Sequence, residues 1–197
     1  VGSEMCIRDR FYRQYFNNEI MCWLDTMYYF LPFRELTSEI IKKGIMPLWN
    51  PYIFCGNPLL GNQQSAVFYP ANIFYYVFNI DTGIRITTYL AFFLASVFMY
   101  FLLRTYKISE EASFLSGAIF AYSYYMVIKA VEFADLNSMV FLPAIILFIK
   151  RYFAKNKLYD LFFISVFLSL SFLGGHLQIF FYVYVLFMVF YFYESFT

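Results

Sequence analysis

Residues 158–193 read LYDLFFISVFLSLSFLGGHLQIFFYVYVLFMVFYFY, and this stretch decides the fold class of the chain. Two apolar runs, Leu158–Leu173 and Leu177–Tyr193, are separated only by the turn Gly174–His176. Neither run alternates apolar and polar residues with a period of two, as the strands of a membrane barrel must. Because a bilayer core offers the backbone no water, continuous apolar runs of this length form helices. The stretch therefore predicts two membrane helices joined by a tight turn.

The composition of the whole chain supports a membrane location. Hydrophobic residues make up 62% of the sequence and charged residues only 14%, and the mean hydropathy is +0.60. A soluble domain carries about 45–50% apolar and about 25% charged residues. A soluble chain of this size could not keep the excess inside, because small proteins leave much of their surface in water. The net charge of +1 provides no basic field for nucleic acid, so the lipid bilayer is the expected partner.

Five apolar windows after residue 83 predict an all-α, polytopic membrane bundle of about five transmembrane helices. Crossing a ~30 Å hydrocarbon core takes about 20 helical residues, with a range of about 17–25. The third and fourth windows are short, and they reach this length only if Phe133–Asp135 and Gly174–Gly175 are included. In chain order the windows are Ile84–Leu103, Glu111–Ile128, Leu136–Ile149, Leu158–Leu173 and Leu177–Tyr193.

The charges of the connecting loops predict on which side each loop lies. Short loops rich in Lys and Arg stay in the cytoplasm. Loops 104–111 (RTYKISEE) and 150–157 (KRYFAKNK) together carry six Lys and Arg, whereas loop 129–135 (KAVEFAD) carries one and turn 174–176 none. This alternation places the residues before Ile84, loop 129–135 and turn 174–176 together on the non-cytoplasmic face. The polar residues of interest are therefore expected on one side of the membrane.

The chain divides into three parts. Residues 1–10 (VGSEMCIRDR) resemble translated adapter sequence and are excluded from fold reasoning. Residues 11–83 are predicted to form a long outer loop with short amphipathic or interfacial helices, including Thr37–Lys43 and the aromatic stretch Phe68–Phe78. Residues 84–197 are predicted to form the transmembrane helical bundle, and the chain is expected to be a fragment.

Ionisable and amide side chains near the outer helix ends are the first candidates for a site, since such groups near a membrane helix are often functional. Glu132 and Asp135 could bind substrate or a divalent cation, or could simply be charges at a helix boundary. His176 and Gln178 could line the site, although a lone histidine at a turn is often a hydrogen-bonded cap. The cysteines lack the spacing of zinc ligands, so no metal ligand is predicted and no cofactor is certain.

The outer loop carries a long motif. PLWNPYIFCGNPLLGNQQSAVFYPAN (residues 47–72), preceded by Asp25 and LPFRELTSEIIKKG (31–44), resembles the first outer loop of the bacterial YfhO-like membrane proteins. The segments VEFADLNSMVFLPAIILF (131–148) and GGHLQIFFYVYV (174–185) resemble the same family at the corresponding loops. The resemblance covers roughly residues 24–190.

The resemblance implies a GT-C-type glycosyltransferase in the bacterial cytoplasmic membrane, with its active face outward. Such proteins transfer a sugar from a polyprenyl-phosphate donor to a cell-envelope glycopolymer or lipid acceptor. In that superfamily an acidic residue in the first outer loop is the usual catalytic group, and Asp25 is the matching position. The family's first membrane helix would precede Asp25, where this chain has only Phe11–Leu24 after its first ten residues, so a truncated fragment is expected.

The chemistry that the resemblance implies suits these residue types. A carboxylate at a partly desolvated interface, such as Asp25, can take the proton of an attacking hydroxyl; its alternative role is a helix cap. Arg34 could reach the interface and contact the donor phosphate. Gln63 and Gln64 could bind sugar hydroxyls or satisfy loop backbone groups. Trp49 could stack on a sugar, although interfacial anchoring is the more ordinary role.

A non-enzymatic membrane protein is the alternative to a transferase. A lipid-carrier transporter or an assembly subunit could have the same composition. A transporter would be expected to place polar groups or broken helices near the middle of the membrane. In this sequence the ionisable residues of the five windows lie near the window ends, which favours chemistry at the outer surface.

Overall fold

The computed structural model describes residues 26–196, and this part of the chain is mostly helical. Its strand content is one short antiparallel pair, β1 (Trp49–Asn50) with β2 (Asn57–Pro58), in which Trp49 lies opposite Pro58. The predicted helical architecture with apolar helices of membrane-spanning length is confirmed at this level. Asp25 and the residues before it lie outside the described part.

Residues 26–79, which we call the outer segment after their predicted location, begin with two consecutive helical elements. One π-helical turn, Thr26–Phe30, leads into α1 (Leu31–Lys42). The sequence predicts the start of this helix at Thr37, but α1 begins six residues earlier, where Pro32 occupies its first turn. Proline is well tolerated at this position, because the first N–H groups of a helix have no intrahelical acceptor. The helix ends at Lys42, one residue before the predicted end, and Gly44 adopts φ +73° two residues later.

The rest of the outer segment is built from turns and one short helix. After the β1–β2 hairpin come two 3₁₀ turns, Gln63–Ser65 and Pro70–Asn72, and then α2 (Ile73–Val77). Tyr75 of α2 is 1% exposed, and its hydroxyl lies 2.8 Å from the hydroxyl of Thr87. This stretch, predicted to lie flat in the interface, is therefore attached to the following long helix by a buried aromatic side chain.

Seven helical segments follow the outer segment in the described part of the chain. Three helical stretches are long and apolar enough to cross a membrane: Ile80–Thr105, the nearly continuous pair Phe133–Lys155, and Leu177–Phe196. The helix Leu158–Leu173 is apolar but shorter, because Gly174 and Gly175 end it and do not extend it. The number of about five membrane spans therefore remains a prediction. The segments are α3 (Ile80–Thr105), α4 (Glu110–Ala121), α5 (Tyr124–Lys129), α6 (Phe133–Met139), α7 (Leu142–Lys155), α8 (Leu158–Leu173) and α9 (Leu177–Phe196).

The second predicted helix, Glu111–Ile128, is broken. Ser123 has extended backbone angles (φ −61°, ψ 154°) and separates α4 from α5. Serine competes for backbone hydrogen bonds and is therefore favoured at such boundaries. Tyr122, beside the break, stacks on Phe92 of α3 with ring centroids 5.5 Å apart. The apolar window thus forms two short helices instead of one long one.

Contacts at both ends show that the apolar segments run alternately up and down the bundle. We call the end that carries residues 26–79, 129–135 and 174–176 the loop end, and the end that carries loops 104–111 and 150–157 the basic end. Because α3 and α7 both finish at the basic end, the broken pair α4–α5 must return the chain to the loop end between them. The defining contacts are Thr26 with Val131 and Asp135 with His176 at the loop end, and Arg104 with Glu110, Arg151 with Asp160 and Lys150 with Glu194 at the basic end.

The pair α6–α7 forms the centre of the bundle. Of the residues in its apolar window, 78% are buried inside the protein, whereas only 11% of those in the window of α9 are buried. Such a difference is expected when one helix is surrounded by the others and another presents apolar side chains to lipid. Residues from α6–α7, including Leu136, Ile145 and Ile149, join residues of α3 and α8 in the main core. The central helix therefore fixes the positions of the loops at its two ends.

Candidate functional site

Four charged or titratable side chains meet at the loop end, and we call Lys129, Glu132, Asp135 and His176 the charged cluster. The ammonium of Lys129 contacts Oε2 of Glu132 and lies 2.7 Å from Oδ2 of Asp135. On the other side, Nε2 of His176 lies 3.3 Å from Oδ1 of Asp135. Asp135 is thus the central member, with a positively charged or polar partner at each oxygen.

The local structure explains why three of these residues share one face. Lys129 ends α5, Glu132 precedes α6, and Asp135 occupies the first turn of α6. Carboxylates at the start of a helix are favoured by the positive end of its dipole. Between Lys129 and Asp135 the chain makes two consecutive turns, in which the amide of Glu132 donates to the carbonyl of Lys129 at 3.1 Å and the amide of Asp135 to that of Glu132 at 2.9 Å, and these turns bring the three side chains together.

His176 reaches the cluster because the turn before it is made of glycine. Gly175 has φ +105°, and a Cβ there would lie 3.1 Å from Cβ of Ala66 and 3.5 Å from that of Ala134. Glycine adopts this backbone conformation and this close approach without strain. The amide of Ile179 donates to Nδ1 of His176 at 3.4 Å, which leaves Nε2 directed at Asp135.

The members of the cluster differ in exposure. The side chain of Asp135 is 2% exposed, whereas those of Lys129 and Glu132 are each 26% exposed and that of His176 is 23% exposed. A buried carboxylate is costly unless it is paired, and Lys129 and His176 provide the pairing. The three partly exposed side chains remain available to a ligand.

Pairing also shifts the pKa values of Lys129 and Glu132, which precede α6. Burial acts to raise the pKa of Glu132, but the hydrogen bond from the ammonium of Lys129 and its positive charge outweigh burial and hold this pKa below its usual range. Burial acts to lower the pKa of Lys129, but hydrogen bonds to Asp135 and Glu132 raise it above its usual range. Both residues are therefore charged at neutral pH.

The outer segment covers the turn that presents His176. Nε2 of Gln63 donates to the carbonyl of Phe172 at 2.9 Å, so this predicted site residue is fixed to the end of α8. Below the turn, the hydroxyl of Ser171 donates to the carbonyl of Ser138 at 2.6 Å. Gly174 makes this contact possible, because a Cβ there would lie 2.8 Å from the amide of Ser138. The predicted outer loop and the turn are thus one packed unit.

Thr26 brings the beginning of the outer segment to the same place. Its hydroxyl is buried and donates to the carbonyl of Val131 at 2.7 Å. Val131 directly precedes Glu132, so the described chain starts beside the charged cluster. Asp25, the predicted catalytic residue, immediately precedes Thr26 in sequence and lies outside the described residues.

Arg34 lies in the interior of the outer segment and not at the membrane interface where it was expected. It is 2% exposed, and its Nη1 donates to the carbonyl of Ser65. Its guanidinium lies 5.7 Å from the ring centre of Tyr75, and burial lowers its pKa. Arg34 therefore links α1 to the 3₁₀ turn Gln63–Ser65 and to α2, inside the outer segment.

The other predicted residues do not join the cluster by any contact among the described residues. Trp49 is 54% exposed, and its ring covers Gly56 in the hairpin. The backbone amide of Gln64 donates to Oδ1 of Asn62 at 3.1 Å. Gln178 is exposed and donates to the hydroxyl of Tyr182, one turn along α9, at 2.8 Å.

Lys129 is the member that the sequence reasoning missed. It was counted only as a charge of loop 129–135, although the repeated interval Lys-x-x-Glu-x-x-Asp could have identified it. Its ammonium lies between the carboxylates of Glu132 and Asp135. Within residues 26–196, no group of three or more His, Cys, Asp or Glu residues could hold a metal ion.

Comparisons of this chain with models of protein families, with curated proteins and with solved structures give no match. The chemistry of the cluster is therefore inferred from its side chains. The ammonium of Lys129 can bind an anionic group such as phosphate, and the partly exposed carboxylate of Glu132 can accept hydrogen bonds from hydroxyls.

Proposed function

We propose that this chain is a GT-C-like membrane glycosyltransferase that moves a sugar from a polyprenyl-phosphate donor to a cell-envelope glycopolymer or lipid. The observation that carries the proposal is the charged cluster itself. Side chains from two separate loops, Glu132 with Asp135 and His176, meet at the loop end of the bundle. The first described residue, Thr26, is bonded to the same loop, directly after the predicted base Asp25 in sequence.

In this reaction the acceptor hydroxyl oxygen attacks the anomeric carbon of the donor sugar. The bond from that carbon to the phosphate oxygen breaks, and the polyprenyl phosphate leaves with the electron pair. Asp25 takes the proton of the hydroxyl as general base. Because phosphate is a stable leaving group, the site needs positive charge or hydrogen-bond donors near it more than it needs a strong acid.

The charged cluster has groups suited to the remaining roles. Lys129 is partly exposed, and its ammonium has a third N–H besides those directed at Glu132 and Asp135, so it can contact the leaving phosphate. Glu132 is ionised and partly exposed, so it can accept hydrogen bonds from sugar hydroxyls. Asp135 is buried between Lys129 and His176 and holds both side chains in position.

The position of the cluster also supports surface chemistry over transport. A carrier would need polar groups or a discontinuous helix near the middle of the bilayer. The break between α4 and α5 at Ser123 is a discontinuity that a carrier could also have, so the comparison depends on the charged groups. In the three described helices of spanning length, the ionisable side chains are confined to the terminal turns or lie close to them. A transporter or an assembly subunit remains the competing function, and the following experiment separates it from the transferase.

The test is Asp25→Asn in membranes that contain the full-length protein, with radiolabelled sugar transfer to envelope acceptor as the readout. Loss of the general base is expected to reduce transfer by about 10²–10⁴-fold at unchanged expression. The matched control is Asp81→Asn, which changes an exposed carboxylate in the first turn of α3 and is expected to leave transfer unchanged. Normal transfer by the Asp25→Asn protein would refute the proposed base, and absence of transfer by the wild-type protein would favour the non-enzymatic alternative.

A further inference from the structure

A groove of about 620 Å³ opens near the basic end of the bundle, away from the charged cluster. It lies between α3, α7 and α8, and its size falls within the ~300–1,000 Å³ range of small-molecule sites. Phe101 at its edge is 52% exposed, so the groove is open on the side where apolar side chains face the surroundings. The proposed sugar transfer does not use this groove.

The walls of the groove are aromatic and apolar. Phe98 of α3 lies against Phe167 of α8, with ring centroids 5.3 Å apart, and Phe148 of α7 lies 5.6 Å from the same ring. These rings form a continuous surface without a hydrogen-bonding group. A hydrocarbon chain can be buried there with the favourable free energy of apolar contact.

The rim of the groove toward the basic end is positively charged. Arg104, Arg151 and Lys155 line it from the last turns of α3 and α7. Arg104 pairs with Glu110 at 3.1 Å, and Arg151 pairs with Asp160 at 3.4 Å. Three cations against two carboxylates leave one positive charge, and a guanidinium has enough N–H donors to serve a carboxylate and a phosphate together.

We propose that this groove binds one anionic glycerophospholipid of the surrounding bilayer. One acyl chain lies along Phe98, Phe148 and Phe167, and the headgroup phosphate contacts the basic rim. The basic rim complements the charge of an anionic headgroup and the aromatic walls complement an acyl chain, and basic pockets between membrane helices bind such headgroups. A zwitterionic lipid would bring its own cation to a rim that already has excess positive charge.

The occupant is expected to be a bilayer phospholipid and not the polyprenyl phosphate of the proposed reaction. The groove lies at the end of the bundle opposite the charged cluster, and Lys-rich and Arg-rich loops are typical of the cytoplasmic side, where the surface is also richest in anionic lipid. A lipid seated between α3, α7 and α8 would tie together three helices that contact one another through aromatic rings beside the groove.

The experiment is native mass spectrometry of the full 197-residue chain in detergent, with dioleoyl phosphatidylglycerol, dioleoyl phosphatidylcholine or undecaprenyl phosphate added in turn. The wild-type protein is expected to retain phosphatidylglycerol in preference to the other two. The variants Lys155→Gln and Arg104→Gln are each expected to weaken retention about fivefold. Arg151 is left unchanged, because Asp160 is fully buried and would lose its charged partner.

Two further variants separate groove binding from general attraction to anionic lipid. Ala154→Trp fills the groove without changing any charge and is expected to weaken retention at least as much as the loss of one cation. Lys42→Gln with Lys43→Gln removes two cations at the loop end and is expected to leave retention unchanged. Equal retention by all groove variants, equal binding of phosphatidylcholine, or preference for undecaprenyl phosphate would each overturn the proposal.

Discussion

At the scale of single residues, the backbone of Gly175 decides whether His176 meets Asp135. The left-handed conformation at Gly175 turns the chain sharply between α8 and α9, and the missing side chain lets the turn contact Ala66 and Ala134. A β-carbon would add both conformational strain and a steric clash. The charged cluster therefore depends on a residue that carries no functional group.

We predict that Gly175→Ala destabilises the protein by about 2–3 kcal/mol, because strain of about 1 kcal/mol is joined by overpacking of about 1–2 kcal/mol. Thermal unfolding in detergent, followed by size-exclusion chromatography, measures the effect. Gly44→Ala is the matched control, since Gly44 has φ +73° but nothing lies within 4 Å of its added Cβ. The control should lose only the strain contribution, and equal losses for the two variants would show that the close approach at Gly175 is unimportant.

Glu132 gives the cluster a pH dependence. Its pKa in the folded protein lies below the ordinary value of 4.5, because the hydrogen bond and positive charge of Lys129 outweigh the opposing effect of burial. The stability that it contributes is therefore present above about pH 4.5 and is lost as the pH falls toward the folded value. Lys129, whose pKa is raised, loses its contribution only at strongly alkaline pH and does not affect this range.

We predict that Glu132→Gln lowers the unfolding temperature at pH 7 and that the gap to the wild-type protein narrows as the pH falls below about 4.5. The reason is that acid favours protonation of Glu132 in the unfolded protein, where its pKa is higher, and so destabilises the wild-type protein. Glutamine at position 132 binds no proton, so the stability of the variant does not change in this way. Thermal scans at several pH values provide the measurement. Glu39→Gln on the exposed face of α1 serves as a control, and a gap independent of pH would contradict the assigned role of Glu132.

At the scale of elements, α3 and α4 pack closely because small residues face each other. Ala91, Ala95 and Ala121 are buried between helices, and a Cβ on Gly117 would lie 2.7 Å from the carbonyl oxygen of Ser96. Without a strong hydrophobic driving force between helices in lipid, such close backbone contact supplies much of the packing energy. This contact keeps the broken pair α4–α5 against α3 despite the interruption at Ser123.

We predict that Gly117→Leu destabilises the bundle by about 1–3 kcal/mol or more, because the added side chain must separate α3 from α4. The unfolding temperature in detergent is the measurement. The control is Ile119→Leu, because Ile119 lies two residues from Gly117 and its side chain is 62% exposed. This substitution should leave the unfolding temperature nearly unchanged. Similar stability of Gly117→Leu and Ile119→Leu would show that α4 is not packed against α3 at this position.

At the scale of the whole molecule, the bundle separates a polar loop end from a basic end. The outer segment, loop 129–135 and turn 174–176 are joined by hydrogen bonds and ion pairs at one end. Loops 104–111 and 150–157 line the other. Positively charged short loops predict that the basic end is cytoplasmic, which would place the charged cluster outside the cell.

We predict opposite accessibility for cysteines at the two ends in intact cells. A protein that retains exposed Cys55, with Cys6 and Cys22 changed to serine, should react with a membrane-impermeant maleimide. A second protein, which also carries Cys55→Ser and has Lys157→Cys in loop 150–157, should react only after lysis. Reaction of both proteins in intact cells would contradict the predicted orientation, and lysed cells provide the control for reactivity.

The sequence alone determined the membrane class, the approximate position of each apolar helix and the grouping of polar loops at one end. Hydropathy, helix length and loop charge are properties of contiguous residues, so they can be read without knowing any contact. The window Leu158–Leu173 was located to the residue for this reason, whereas the break at Ser123 was missed because an isolated serine is a weak signal in an apolar run.

Only the tertiary structure decided which distant side chains meet. The pairing of Asp135 with His176, the burial of Arg34 against Ser65 and the groove between Phe98, Phe148 and Phe167 all join residues on separate elements. These contacts depend on how helices rotate and approach one another, which is set by small residues such as Gly117 and Gly175. Packing of that kind is a property of the assembled bundle, and no local pattern in the chain specifies it.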